Sequence, residues 1–156
     1  MTIQFHPMLV HFPIALLFAS VLFDVASTAL TRDSLREAAQ WLLGLGLLGG
    51  IVAAIAGGQA EGAAEKAGVP EALIETHETL AYLTLGTMAV LVLYRLLLRN
   101  RFSTRALVAY FMVAAVGLVA VSATGHTGGN LVYEHGAGVH TTQQPSHPIA
   151  RIAQGD

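Results

Sequence analysis

The sequence predicts an all-α fold, an integral membrane four-helix bundle with both termini outside, and three observations predict it. Only 12% of the 156 residues are charged while 54% are hydrophobic, and the mean hydropathy is +0.59; soluble domains carry about twice that charge. Four apolar runs reach roughly the 20 residues that a bilayer demands of a helix, because lipid offers no partner for backbone N–H and C=O groups. The basic residues, finally, gather at two short connections between those runs.

The first run extends from Met8 to Leu30. It is too long for a removable signal peptide and lacks the basic start and small-residue cleavage site, so it is expected to stay as a membrane helix. Pro7 suits a helix start, whereas Pro13 lacks an N–H and obstructs the carbonyl four residues earlier, so the first turns are expected to be distorted. The second run, Ala38 to Ala56, can be capped by Asp33 or Ser34. Its glycines, Gly44, Gly46, Gly49 and Gly50 with Gly57 and Gly58 beyond, permit either close helix packing or a slot for a planar group.

The third run, Leu80 to Leu98, belongs to a longer helix from Pro70 to Arg99, with Pro70 and Glu71 fitting a first turn. At 1.5 Å per residue that helix spans roughly 45 Å against a hydrocarbon core of about 30 Å, which puts His77 near the lipid-water boundary. The fourth run, Leu107 to Ala123, can be opened by Ser103 or Thr104. After it Gly128-Gly129 divides the chain, and Asn130 to His135 reads as a short interfacial turn carrying Leu131, Val132 and Tyr133 toward the membrane. Residues 1–140 are thus expected to form one transmembrane domain and residues 141–156 a polar, mobile tail. No repeat of 20 to 50 residues stands out.

Arg32 and Arg36 join the first two helices, and Arg95, Arg99, Arg101 and Arg105 flank the turn between the last two, so six of the eight Lys and Arg residues lie on one side. By the positive-inside rule that side is cytoplasmic, which predicts a multi-pass protein of a bacterial inner membrane, N-out and C-out, with the periplasm outside in a Gram-negative source. Asp24 falls in the cytoplasmic half of the first helix, where a hydrogen bond to a neighbouring helix is favoured over a proton relay.

The absence of cysteine excludes disulfides, thiolate metal sites and cysteine-ligated clusters. No stripe of basic and aromatic residues supports nucleic-acid binding.

All seven histidines fall on the outward side, and three of them, His11, His77 and His126, lie within about a turn of the bilayer edge on three different helices. Ionisable groups at such depth are costly and usually functional. Helices one and three lie diagonally in an up-down bundle, so His11 and His77 are expected to face one another across the core. His6 and His135 are further candidate ligands, with Glu78, Glu134 and Tyr133 beside them as hydrogen-bonding supports; Glu61 and Glu75 offer further carboxylates. One reading is haem b on His11, His77 and His126; another is a histidine and carboxylate site for copper, zinc or iron ions on His6, His11, His77, His126 and His135.

The stretches HPMLVHFPIALL, ETHETLAY and ATGHTGGNLVYEHGAGV, which cover the chain to about His140, resemble an uncharacterised bacterial four-helix transmembrane domain family. Similar domains occur fused to Rieske-type or c-type cytochrome modules, and that resemblance implies electron transfer on the outer face. The matching positions are His6, His11, His77, His126 and His135, with Gly128, Gly129, Tyr133, Glu134 and Gly136. This chain has no Rieske or CxxCH module, so a Rieske or cytochrome c redox partner would be a separate protein.

The leading expectation is therefore a cytochrome-like electron-transfer protein holding haem b near its periplasmic face. The alternatives are a metal-binding membrane protein and a non-enzymatic membrane subunit. Lipid, and a second copy of the chain, are the other expected partners.

Overall fold

The computed structural model describes residues 6–66, 68–98 and 102–137. They form α1 (His6–Leu9), α2 (His11–Leu30), α3 (Asp33–Lys66), α4 (Glu71–Leu98) and α5 (Thr104–Tyr133). α1 and α2 make one span of 25 residues, and the other three spans have 34, 28 and 30. The result is an all-α, four-helix integral-membrane bundle.

The distortion expected at Pro13 is present. With no N–H at Pro13 the Leu9 carbonyl loses its partner, and the helix breaks at Val10, where Ile14 N–H reaches back to the Val10 carbonyl at 3.4 Å. Thr31 turns the chain between α2 and α3 in a left-handed conformation, φ 51°, and its N–H and that of Arg32 both bond to the Ser27 carbonyl. Gly68 does the same after α3 at φ 85°. Ser103 caps α5 by accepting from Ala106 N–H at 3.3 Å.

The bundle is ordered by a 3.5-residue period. The buried positions step by four and three: Pro13, Leu17, Ser20, Asp24 and Ser27 on α2, and Ala39, Leu43, Gly46, Gly50 and Ala53 on α3. On α4 they are Thr84, Met88, Leu91 and Arg95, and on α5 Tyr110, Ala114, Gly117 and Val121. That is the stripe of a left-handed bundle. Large apolar side chains lie outside it: Leu22, Trp41, Ile55, Leu97 and Val119 are exposed, as a helix surrounded by lipid requires and a soluble helix would not tolerate.

Small residues on the stripe let the helices approach. A Cβ on Gly46 would stand 2.8 Å from the end of Met88, and one on Gly50 2.6 Å from a Leu85 methyl, so these glycines serve packing rather than a slot; Gly44 and Gly58 meet nothing.

Two expectations are corrected. α5 runs unbroken through Gly125, Gly128 and Gly129 to Tyr133, so Asn130 to Tyr133 is helix rather than an interfacial turn, and only Glu134 and His135 form a turn. Arg95 is no loop-flanking charge: it is 1% exposed, in the core. Arg99, Arg101 and the expected tail from 141 lie outside the described residues.

Candidate functional site

The inward stripe carries two polar layers, one near each end of the bundle. His6, Gly57, His77 and Gly128 form the first, one residue from each of the four spans. Asp24, Ala39, Arg95 and Tyr110 form the second, and each stands eighteen residues along its own span from its counterpart in the first. At about 1.5 Å per residue the layers are roughly 27 Å apart, close to the thickness of a hydrocarbon core.

In the first layer the His6 Nδ1 lies 2.8 Å from the Ala53 carbonyl of α3. A carbonyl only accepts, so Nδ1 carries the proton. The His77 Nδ1 lies 3.1 Å from Thr127 Oγ1, and that hydroxyl donates its own proton to the Thr124 carbonyl at 3.1 Å. Thr127 Oγ1 therefore accepts, and His77 also carries its proton on Nδ1. The ring centroids are 6.2 Å apart with the planes at 89°.

Glycine makes room for both rings. A Cβ on Gly57 would stand 3.0 Å from His6 Cε1, and one on Gly128 2.9 Å from His77 Cε1. The glycine pair that reads in sequence as a break is thus half of an imidazole seat.

A cavity of about 380 Å³ opens beside the two rings, with Pro13, Gly50, Leu85 and Met88 among its apolar walls and Thr84 and Thr124 as polar groups. Thr84 and Thr124 already bond to carbonyls of their own helices and lie 3.2 Å from each other. Among the described residues no Asp, Glu, Lys or Arg lines this cavity. A smaller one, about 120 Å³, reaches from the same rings to Glu61 and Glu78.

The expected ligand set does not assemble. His11 is exposed, one position off the stripe at the rim of the larger cavity, so His6 rather than His11 meets His77. His126 is exposed, between the inward positions Thr124 and Gly128, and lines neither cavity. His135 Nδ1 lies 3.4 Å from the Asn130 carbonyl in the turn beyond α5. Glu134 is exposed and Tyr133 is 90% exposed at the rim; His140 and His147 lie outside the described residues.

Among the described residues no group of three or more His, Cys, Asp or Glu side chains could hold a metal ion. No Lys or Arg of the described residues lines either cavity to pair with haem propionates. These findings overturn the cytochrome-like electron-transfer reading with haem b, the copper, zinc or iron reading, and the histidine cluster on which both rested. The physical cause is register: the stripe that turns His6 and His77 inward turns His11 and His126 out.

The second layer is an ion-pair network. The Arg95 guanidinium donates through Nη2 to Asp24 Oδ1, through Nε to the Tyr110 hydroxyl at 3.0 Å and through Nη1 to the Arg36 carbonyl at 3.1 Å. Tyr110 donates to Asp24 Oδ2 at 2.7 Å, and Arg95 Cζ sits 5.0 Å from the Tyr110 ring centre. The two charges cancel in place, as buried charges must. The hydrogen bond expected of Asp24 to a neighbouring helix is here, whereas Arg95 and Tyr110 as its partners were missed.

No curated protein and no solved structure matches the chain. Residues 2–141 match the family described as a predicted membrane protein, DUF2231, and the chain belongs to that family.

Proposed function

We propose that this is a membrane-embedded binding protein for a small, mostly apolar molecule with one polar group, taken into the cavity beside His6 and His77. The observation that carries the reading is the cavity itself: about 380 Å³, with apolar walls, and two imidazoles set at its edge by the glycines opposite them. Ligand pockets are usually of a few hundred Å³ with apolar walls and a few convergent polar groups. The second layer supports the reading as a fixed base, since a satisfied charge network holds α2, α4 and α5 in one register while the other end keeps open space.

The histidine layer lies on the non-cytoplasmic side, with both termini outside and the protein in a bacterial inner membrane. Arg32, Arg36 and Arg105 support that orientation, standing at or beside the connections at the opposite end.

The test is equilibrium binding of 4-butylphenol to the protein in lipid nanodiscs, measured by ligand-observed NMR against protein-free discs. Ala81 lines both cavities, and Ala81→Phe fills them. Saturable one-to-one binding that Ala81→Phe abolishes, with the unfolding midpoint held within a few degrees, is expected; binding no greater than to empty discs refutes the reading.

A further inference from the structure

We infer that the ligand of the His6–His77 cavity is a neutral hydrogen-bond donor, a hydroxyl on an aliphatic or aromatic apolar body. This deepens the binding function proposed above and rests on it. The inference follows from which atoms are already committed.

Each imidazole spends its one N–H inside the protein, His6 on the Ala53 carbonyl and His77 on Thr127 Oγ1. The nitrogen left over, Nε2, is in the neutral form of each ring a bare lone pair. No hydrogen bond joins either Nε2 to a side chain of the described residues, and the His77 ring also faces the Thr124 carbonyl, the one that Thr127 Oγ1 donates to. Two acceptors are therefore on offer at the cavity edge, and the remaining side-chain donors of this cavity, the His11 imidazole and the Tyr133 hydroxyl, stand at its exposed rim. Thr84 and Thr124, deeper in the wall, have donated their protons to the Leu80 and Ala120 carbonyls.

Charge narrows the class further. A carboxylate or phosphate would find no Lys or Arg among the described residues of the wall and would face lone pairs; an ammonium would find acceptors but no Asp or Glu on this wall to offset its desolvation, Glu61 and Glu78 lining the smaller cavity instead. A ketone, ether or ester brings only acceptors. An alcohol or phenol brings the one missing element, an O–H, at little desolvation cost, and buries its hydrocarbon against Pro13, Leu85 and Met88.

The decisive comparison is 4-butylphenol against 4-butylanisole, its methyl ether, in nanodiscs, with 1-decanol against 1-methoxydecane as a second pair separating an aromatic body from a lipid-derived chain. In at least one pair the hydroxyl compound is expected to bind about five- to tenfold more tightly, the yield of one or two hydrogen bonds, and His77→Phe and His6→Phe should bring that ratio close to one. Equal binding of both members of each pair overturns the inference and leaves the cavity reading standing. Binding of none of the four overturns both.

Imidazole ¹⁵N shifts provide a second measurement that needs no variant. Protonated Nδ1 and bare Nε2 at His6 and His77 are expected in the free protein, with the Nε2 signals moving upfield on addition of the hydroxyl compound. Protonated Nε2 at both residues overturns the inference.

Discussion

Asp24 and Arg95 meet across the bundle, from α2 to α4, and the Tyr110 hydroxyl closes the contact by donating to the carboxylate while accepting from the guanidinium. Both charged side chains are almost wholly buried, at 4% and 1% exposure, so each is tolerable only while the other is there. Asp24→Leu or Arg95→Met alone should cost about 3–5 kcal/mol, because the surviving charge is left without its partner. The double variant, which removes both charges and keeps volume, should recover most of that loss. Unfolding in mixed micelles by SDS titration checks it; single and double variants with additive losses would show that the pair is not coupled.

Thr31 carries the only positive φ on a residue other than glycine among the described residues, in a position that at the end of α3 belongs to Gly68. A β-branched side chain in the left-handed region is crowded against its own backbone. Thr31→Gly removes that strain and loses some chain entropy, for a net gain of about 0.5–1 kcal/mol. The same SDS titration reads the shift, and a loss of stability would mean that the Thr31 hydroxyl bond to the Leu30 carbonyl outweighs the strain.

The four spans were legible because lipid leaves a helix no other composition. The sites were harder, because hydropathy treats a run as uniform around its axis and only the period distinguishes inside from outside. Counting by fours and threes from Leu17 reaches Asp24 in one direction and His6 in the other, and skips His11; counting from Met88 reaches both His77 and Arg95. Tyr110 escaped notice since a tyrosine in an apolar run reads as bulk. Arg95 was drawn to the loop by sequence proximity, although its depth in the helix and its place on the stripe put it with Asp24. Gly128 was read as punctuation, which is what glycine usually means outside a packed helix.

Gly46 on the packing stripe and Gly128 in the histidine layer should therefore respond differently to the same added methyl. At Gly46 the nearest atom is the terminal methyl of Met88, which can swing aside, with Leu16 Cβ at 3.2 Å the stiffer neighbour; the gain of up to about 1 kcal/mol of helix propensity for alanine offsets that squeeze, so Gly46→Ala should be close to neutral. At Gly128 the obstacle is the His77 ring, fixed by its bond to Thr127. Gly128→Ala should break that bond at little cost to folding, seen as a moved His77 ¹⁵N spectrum and weakened 4-butylphenol binding. An unchanged spectrum would show that the ring is not seated on Gly128.

Orientation has a direct reading because the chain has no cysteine, so one introduced thiol is unique. Ser34 at the start of α3 and Glu65 near its end are both exposed and 31 positions apart, which at about 1.5 Å per residue exceeds the hydrocarbon thickness. In the orientation proposed above Ser34 stands at the cytoplasmic end, beside the basic residues. In intact cells a membrane-impermeant maleimide should label Glu65→Cys and spare Ser34→Cys until the membrane is opened. The reverse pattern would turn the His6–His77 cavity to the cytoplasm and limit its ligands to molecules arriving from there.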